Sequence, residues 1–97
     1  MTVVGPQTAA TASVASSASS VNLFAAVTSA KGRTIYNDSS AILYVKFGAT
    51  ASNSSYTVQV AAGGYYEFPG SGSGVVYSGV VDGIWASANG NARLTSW

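Results

Sequence analysis

The chain has 97 residues with no cysteine and no histidine, and only 7% of it is charged. Its net charge of +1 excludes the basic stripe that a phosphate backbone requires, and no apolar run approaches the length that spans a bilayer. Without cysteine there are no disulfides, and without histidine the commonest structural-metal ligand and general base are gone, so no cofactor, nucleic acid or membrane is expected as a partner.

From residue 1 to 20 the chain is almost entirely Ala, Ser, Thr and Val. It has no aromatic residue and no helical apolar stripe, and Ser and Thr compete with a helix for backbone hydrogen bonds. We read it as an extended arm that belongs to the mature chain, since it lacks the charged and continuous apolar parts of a secretion signal. Residues 21–97 then form one domain of roughly 75 residues, small enough to bury only about 60% of its unfolded surface. A domain with so thin a margin gains from association, and a neutral surface of Ser, Thr, Asn and Gly suits packing against neighbours better than life as a free monomer. The arm is expected to be held down by a neighbouring subunit or scaffold.

Beyond the arm, short runs with period two alternate with turn residues. Residues 21–28 form the first predicted strand, with Val21, Leu23, Ala25 and Val27 on one face. Residues 33–37 form the second, ended by Asn37, Asp38, Ser39 and Ser40. Over 41–47, Ala41, Leu43, Val45 and Phe47 share one face and Ile42, Tyr44 and Lys46 the other. The strand over 55–61 points Tyr56, Val58 and Val60 inward. Gly63-Gly64 turns the chain into a short strand over 65–68 that Pro69 ends, and residues 70–74 are a loop by composition. Residues 75–81 and 83–88 read as two further strands, and Asn89-Gly90 reads as a hairpin turn into 92–96. About seven short strands with no helix between them predict an all-β fold, a small antiparallel β-sandwich or barrel with an extended N-terminal arm.

The residues offer little for catalysis. Asp38, Glu67 and Asp82 are the only carboxylates and do not form an adjacent pair; Asp38 and Asp82 are read as serving turns and Glu67 as projecting from an edge strand. A serine nucleophile needs an activating base, for which only Lys31, Lys46 or a carboxylate is at hand. The Gly/Ser run at 70–74 lacks the lysine and helix of a phosphate cradle. No enzyme activity is expected. Six tyrosines and two tryptophans are the stronger lead, because aromatic residues concentrate binding energy at interfaces. Alternation assigns Tyr56, Tyr66 and Phe68 to the core. It leaves Ile42, Tyr44, Tyr65 and Trp85 as contact residues, and Trp97, at an end where a side chain is normally exposed, as one that docks onto something.

Five stretches carry a resemblance: Arg-Thr-Ile-Tyr-Asn-Asp-Ser-Ser at 33–40, Leu-Tyr-Val-Lys-Phe-Gly at 43–48, Tyr-Thr-Val-Gln-Val at 56–60, Gly-Gly-Tyr-Tyr-Glu-Phe-Pro at 63–69, and Gly-Ile-Trp-Ala-Ser-Ala-Asn-Gly at 83–90. In this order they resemble small virion structural proteins of tailed bacteriophages and prophages. The resemblance implies no catalytic residue. It implies a capsid decoration, or cement, protein on the virion surface, assembled in the host bacterial cytoplasm. Such a protein binds the major capsid protein and its own copies, read here as a homotrimer around a threefold axis. A tail-fibre or spike module that binds host surface glycans through tyrosine and tryptophan is the alternative.

Overall fold

The computed structural model describes residues 9–28, 30–71 and 76–97. Among them there is no helix, and eight strands form: β1 Ala10–Ala15, β2 Val21–Phe24, β3 Arg33–Ser39, β4 Leu43–Phe47, β5 Val58–Val60, β6 Tyr65–Glu67, β7 Val81–Trp85 and β8 Gly90–Ser96. Sheet A has the order β1-β8-β3-β6 and sheet B the order β2-β7-β4-β5, with every neighbouring pair antiparallel. The protein is an all-β antiparallel sandwich.

The connectivity is that of one long two-stranded ribbon rolled onto itself. Ala10 lies opposite Ser96, Val21 opposite Gly83, Thr34 opposite Glu67 and Leu43 opposite Val60, so the first half of the chain runs back along the second as far as the β4–β5 hairpin. Rolling the ribbon sets β3 beside β8 and β4 beside β7. Eight strands in these two orders are a jelly roll.

β1 and β2 are one path that changes sheets. Ser16 N donates to Gly90 O at 2.9 Å, which ends the pairing with β8, and Trp85 N donates to Ser17 O at 2.9 Å, which starts the run along β7. Residues 10–15, expected in an arm outside the domain, are therefore the edge strand of sheet A, and the division between arm and sandwich does not fall at 20/21. An edge strand needs a backbone partner more than core side chains; the small residues of β1 leave its ladder with β8 unbroken, and Val14 packs against the core. Residues 1–8 of the arm lie outside the described residues, as do residues 72–74 of the Gly/Ser loop and Val75.

Between the sheets lies a core of Leu23, Phe24, Ile35, Leu43, Val45, Val60, Phe68, Val81, Trp85 and Leu94. In β4 and the residue before it the expected alternation holds, with Leu43 and Val45 at 0% exposure and Ile42 at 39%. Gly83, on the same face of β7 as Val81 and Trp85, has no side chain because a Cβ there would sit 2.7 Å from Leu23 and 3.0 Å from Leu43. An aromatic column runs outward from this core: Phe24 meets Phe68 edge to face, Phe68 stacks on Phe47 at 4.7 Å, and Phe47 stacks on Tyr77 at 4.8 Å. Tyr66 packs against the same column, and its burial pushes the phenol pKa up.

Four expectations are corrected by the packing. Strand β2 stops at Phe24, and a register shift between Asn22 and Phe24 turns both Leu23 and Phe24 inward, which strict alternation forbids. Residues 76–80 form no strand, because the carbonyls of Tyr77, Ser78 and Gly79 accept from the Arg33 guanidinium and Ser78 O also accepts from Val27 N. The strand over 55–61 shrinks to Val58–Val60, since Ser52 and Ser55 exchange backbone hydrogen bonds in a turn; Tyr56, expected in the core, is 38% exposed. Asn89-Gly90 is not a hairpin turn between paired strands, because β7 and β8 lie in different sheets. Gly90 instead crosses between them at φ 148°, so close to β3 that a Cβ would lie 2.4 Å from Asp38 O.

Candidate interaction surfaces

The two outer faces of the sandwich are built from the residues that strand alternation turns away from the core. On sheet B, β4 sends Tyr44 and Lys46 outward, with Ile42 exposed just before the strand, and the register sets Tyr44 between Ile84 of β7 and Gln59 of β5. Tyr56, displaced from the core by the turn before β5, closes on Tyr44 with ring centroids 5.0 Å apart. Gln59 Nε2 donates to Tyr56 Oη at 2.6 Å, which fixes the second ring. Tyr44, Ile84 and Ala86 line a depression of about 320 Å³ whose rim carries Ser52 and Asn53.

On sheet A, Tyr36 of β3 stands opposite Tyr65 of β6, and they are 43% and 62% exposed. Beside Tyr36 on β8 is Arg93, whose Nε donates to Asp38 Oδ2 at 3.0 Å and whose Nη1 donates to Ser13 Oγ at 2.8 Å. Both members of that ion pair are about half exposed, so it contributes little to stability.

Of the residues singled out from the sequence, Ile42 and Tyr65 are exposed and Tyr44 is half-buried on the outer face of sheet B. Trp85 is corrected: it faces Leu43 across the β4–β7 pair, is 2% exposed, and donates its indole N–H to Asn37 Oδ1 at 3.1 Å. Its strand has apolar residues on both faces, and the inward set is Val81, Gly83 and Trp85. Trp97 lies half-buried on its own chain. Its backbone N donates to Gly32 O at 3.0 Å and its carbonyl accepts from Lys31 N at 2.7 Å, while the ring covers Gly32 so closely that a Cβ there would be 2.1 Å away. Tyr36, Tyr56 and Ile84 belong to the outer faces and were not singled out, although alternation from buried Ile35 turns Tyr36 outward.

A third feature opens where β1 and β2 part. Ala10, Leu23, Phe24, Val27, Arg33 and Trp97 line a hollow of about 550 Å³. Arg33 lies beneath it, 1% exposed, donating to Tyr77 O, Gly79 O and Ala25 O at 2.9 to 3.0 Å with its guanidinium carbon 4.9 Å above the Phe24 ring. Burial pushes its pKa down, and Tyr77 acts in the opposite sense. With its Nη donors committed to backbone carbonyls, Arg33 ties the 77–79 loop to the end of β2; it is a fastening inside the fold.

The carboxylates stand in strands and not in the turns expected for Asp38 and Asp82. Asp38 and Glu67 lie on sheet A and Asp82 on β7 of sheet B, where Asp82 accepts from Asn22 Nδ2 at 3.3 Å and Ser20 Oγ at 3.4 Å. Among the described residues no three His, Cys, Asp or Glu gather where they could hold a metal ion, and no helix is long and apolar enough to cross a membrane. Fold and surfaces together define a small jelly-roll domain with aromatic outer faces. Comparison with protein-family models, with curated proteins and with solved structures gave no match.

Proposed function

We propose that this protein is a virion structural protein that decorates and stabilises a phage capsid by binding the major capsid protein and copies of itself. The observation that carries the reading is that both broad faces of a sandwich with few charged residues expose large apolar and aromatic side chains: Tyr36 and Tyr65 on one, Ile42 and Tyr56, beside half-buried Tyr44, on the other. Exposed apolar patches mark contact sites. The jelly roll serves viral capsid and lectin domains alike, and a fold does not by itself define a function, so the weight rests on the faces and on the sequence resemblance. On this reading the protein takes its place on the capsid surface in the host bacterial cytoplasm.

The depression between Tyr44 and Asn53 favours a second reading, a tail-associated module that holds a host glycan, because an aromatic wall beside amide and hydroxyl side chains suits a sugar ring. One experiment separates the two. Purified full-length protein is added to phage heads that lack it, and separately to host cell-wall polysaccharide. The decoration reading expects saturable binding to heads, weakened about tenfold by Tyr44→Ser or Tyr65→Ser, the loss typical of an interface aromatic anchor. Binding to polysaccharide with none to heads contradicts it.

A further inference from the structure

The sandwich has four sheet edges, and three of them are blunted. β5 and β6 are three residues each, with Pro69 two positions beyond β6; β2 is four residues with a register shift. Short strands, prolines and irregular register are the devices by which soluble proteins stop edges from pairing with other chains. β1 has none of them. It is six residues long, carries no charge or proline, and runs in unbroken register from Ala10 to Ala15.

The hydrogen-bond parity of this edge is determined. Ser16 continues the β1 register opposite Gly90 and donates to its carbonyl, so by the alternation of an antiparallel ladder Val14, Ala12 and Ala10 direct their N–H and C=O groups to β8. Thr11, Ser13 and Ala15 direct theirs away from it, along the open edge. Those three residues are exposed. Ala10 and Ala12, on the face of β1 that carries Val14, are exposed as well, and Ala10 borders the apolar hollow with Leu23, Phe24 and Val27.

We propose that β1 pairs antiparallel with β1 of a second copy about a two-fold axis at Ser13, joining two four-stranded sheets into one continuous sheet. A two-fold contact must be complementary to itself, and this strand is. Centring on Ser13 sets Ser13 against Ser13, Thr11 against Ala15 and Ala12 against Val14, so that no charge meets a like charge and every outward amide finds a carbonyl. A capsid-protein strand could use the same hydrogen bonds, but the neutrality and small size of every β1 side chain remove the repulsion that normally keeps identical edges apart. The contact is smaller than the roughly 1,000 Å² of a tight interface, so it is weak in free solution and strengthens where copies are concentrated on a surface. This goes beyond the decoration reading and differs from the threefold arrangement expected from the resemblance; it is tested on the purified chain alone, so its failure leaves that reading standing.

The absence of native cysteine makes the test clean. Directly opposed residues of a hydrogen-bonded antiparallel pair have Cα atoms about 5.5 Å apart, within disulfide range. Under mild oxidation at high protein concentration, Ser13→Cys is expected to form a covalent dimer, whereas Thr11→Cys, whose two copies lie four residues out of register, stays largely uncrosslinked. Sedimentation of the wild type should show mass rising toward a dimer with concentration. Thr11→Pro, which deletes an outward N–H and leaves the β8 ladder intact, and Ser13→Lys, which sets lysine against lysine across the axis, should both remain monomeric with an unchanged circular dichroism spectrum. A wild type that stays monomeric up to millimolar concentration, association that ignores both edge variants, or Thr11→Cys crosslinking as readily as Ser13→Cys overturns the proposal.

Discussion

Replacing Arg33 with methionine is expected to cost the fold roughly 3 to 5 kcal/mol, the range seen when a buried charged group is removed and its hydrogen-bond partners are left behind. Methionine matches much of the arginine stem, so the loss isolates the guanidinium. Its Nη atoms hold Tyr77 O and Gly79 O with one nitrogen and Ala25 O and Ser78 O with the other. Without them the 77–79 loop has carbonyls facing a largely apolar pocket, and the anchor that keeps it from extending as a strand is gone. Lysine should rescue little, because one ammonium cannot reach acceptors spread across both arms of the fork. Since a domain of this length is stable by only about 5 to 15 kcal/mol, urea unfolding followed by tryptophan fluorescence should show a much lower midpoint. A loss under about 1 kcal/mol would mean that water replaces the guanidinium without penalty, and the fastening role assigned to Arg33 would be wrong.

Asn37→Ala is expected to be comparably severe, at roughly 3 to 4 kcal/mol, through the same physics at the opposite end of β3. Asn37 has 0% exposure. Its Nδ2 donates to Ala41 O at 2.8 Å, Val60 O at 2.9 Å and Ala61 O at 3.1 Å, and its Oδ1 accepts from Ser39 Oγ at 2.7 Å and from the Trp85 indole. One amide therefore ties sheet A to the start of β4, the end of β5 and the largest side chain of the core. Truncation leaves a cavity and strands the Trp85 N–H in an apolar interior. Trp85→Phe in the Asn37→Ala background should then cost about 1 kcal/mol less than it does alone, because the stranded donor is removed; equal costs in the two backgrounds would show that the indole gains nothing from Asn37.

Both residues illustrate how far the fold could be read from the chain. Period two placed β3, β4 and β6 correctly and put Leu43 and Val45 inward with Ile42 outward, because in β4 one face is uniformly apolar. In β7, where Ile84 and Trp85 are both apolar, the same rule leaves the inward face undecided, and Trp85, expected at the surface, lies in the core. Arg33 and Asn37 sit inward beside Ile35 on β3, yet no propensity marks a polar residue as buried; their partners are backbone carbonyls of distant segments, which only the tertiary structure brings near. The Asn89-Gly90 signal was sound as backbone chemistry, since Gly90 does adopt positive φ, but a local rule cannot tell a hairpin from a crossing between sheets. The arm was misjudged because an edge strand needs a neighbour's amides and carbonyls, which composition does not reveal.

The surfaces were partly legible for the same reason. Ile42, Tyr44 and Tyr65 follow from alternation within strands that were correctly placed. Tyr56 reaches the outer face through a turn at Ser52–Ser55 that shortens its strand, and it meets Tyr44 of the preceding strand there. Neither event has a signature in a single run of residues.

The central claim is that this sandwich works in large numbers, as part of a shell. On the proposed decoration reading its most direct test is the ratio of this protein to the major capsid protein in purified phage particles that carry it, measured by quantitative mass spectrometry on intact heads and on detached tails. The account predicts a fixed ratio near equality in the heads and none in the tails. A handful of copies per particle confined to the tail fraction would contradict it.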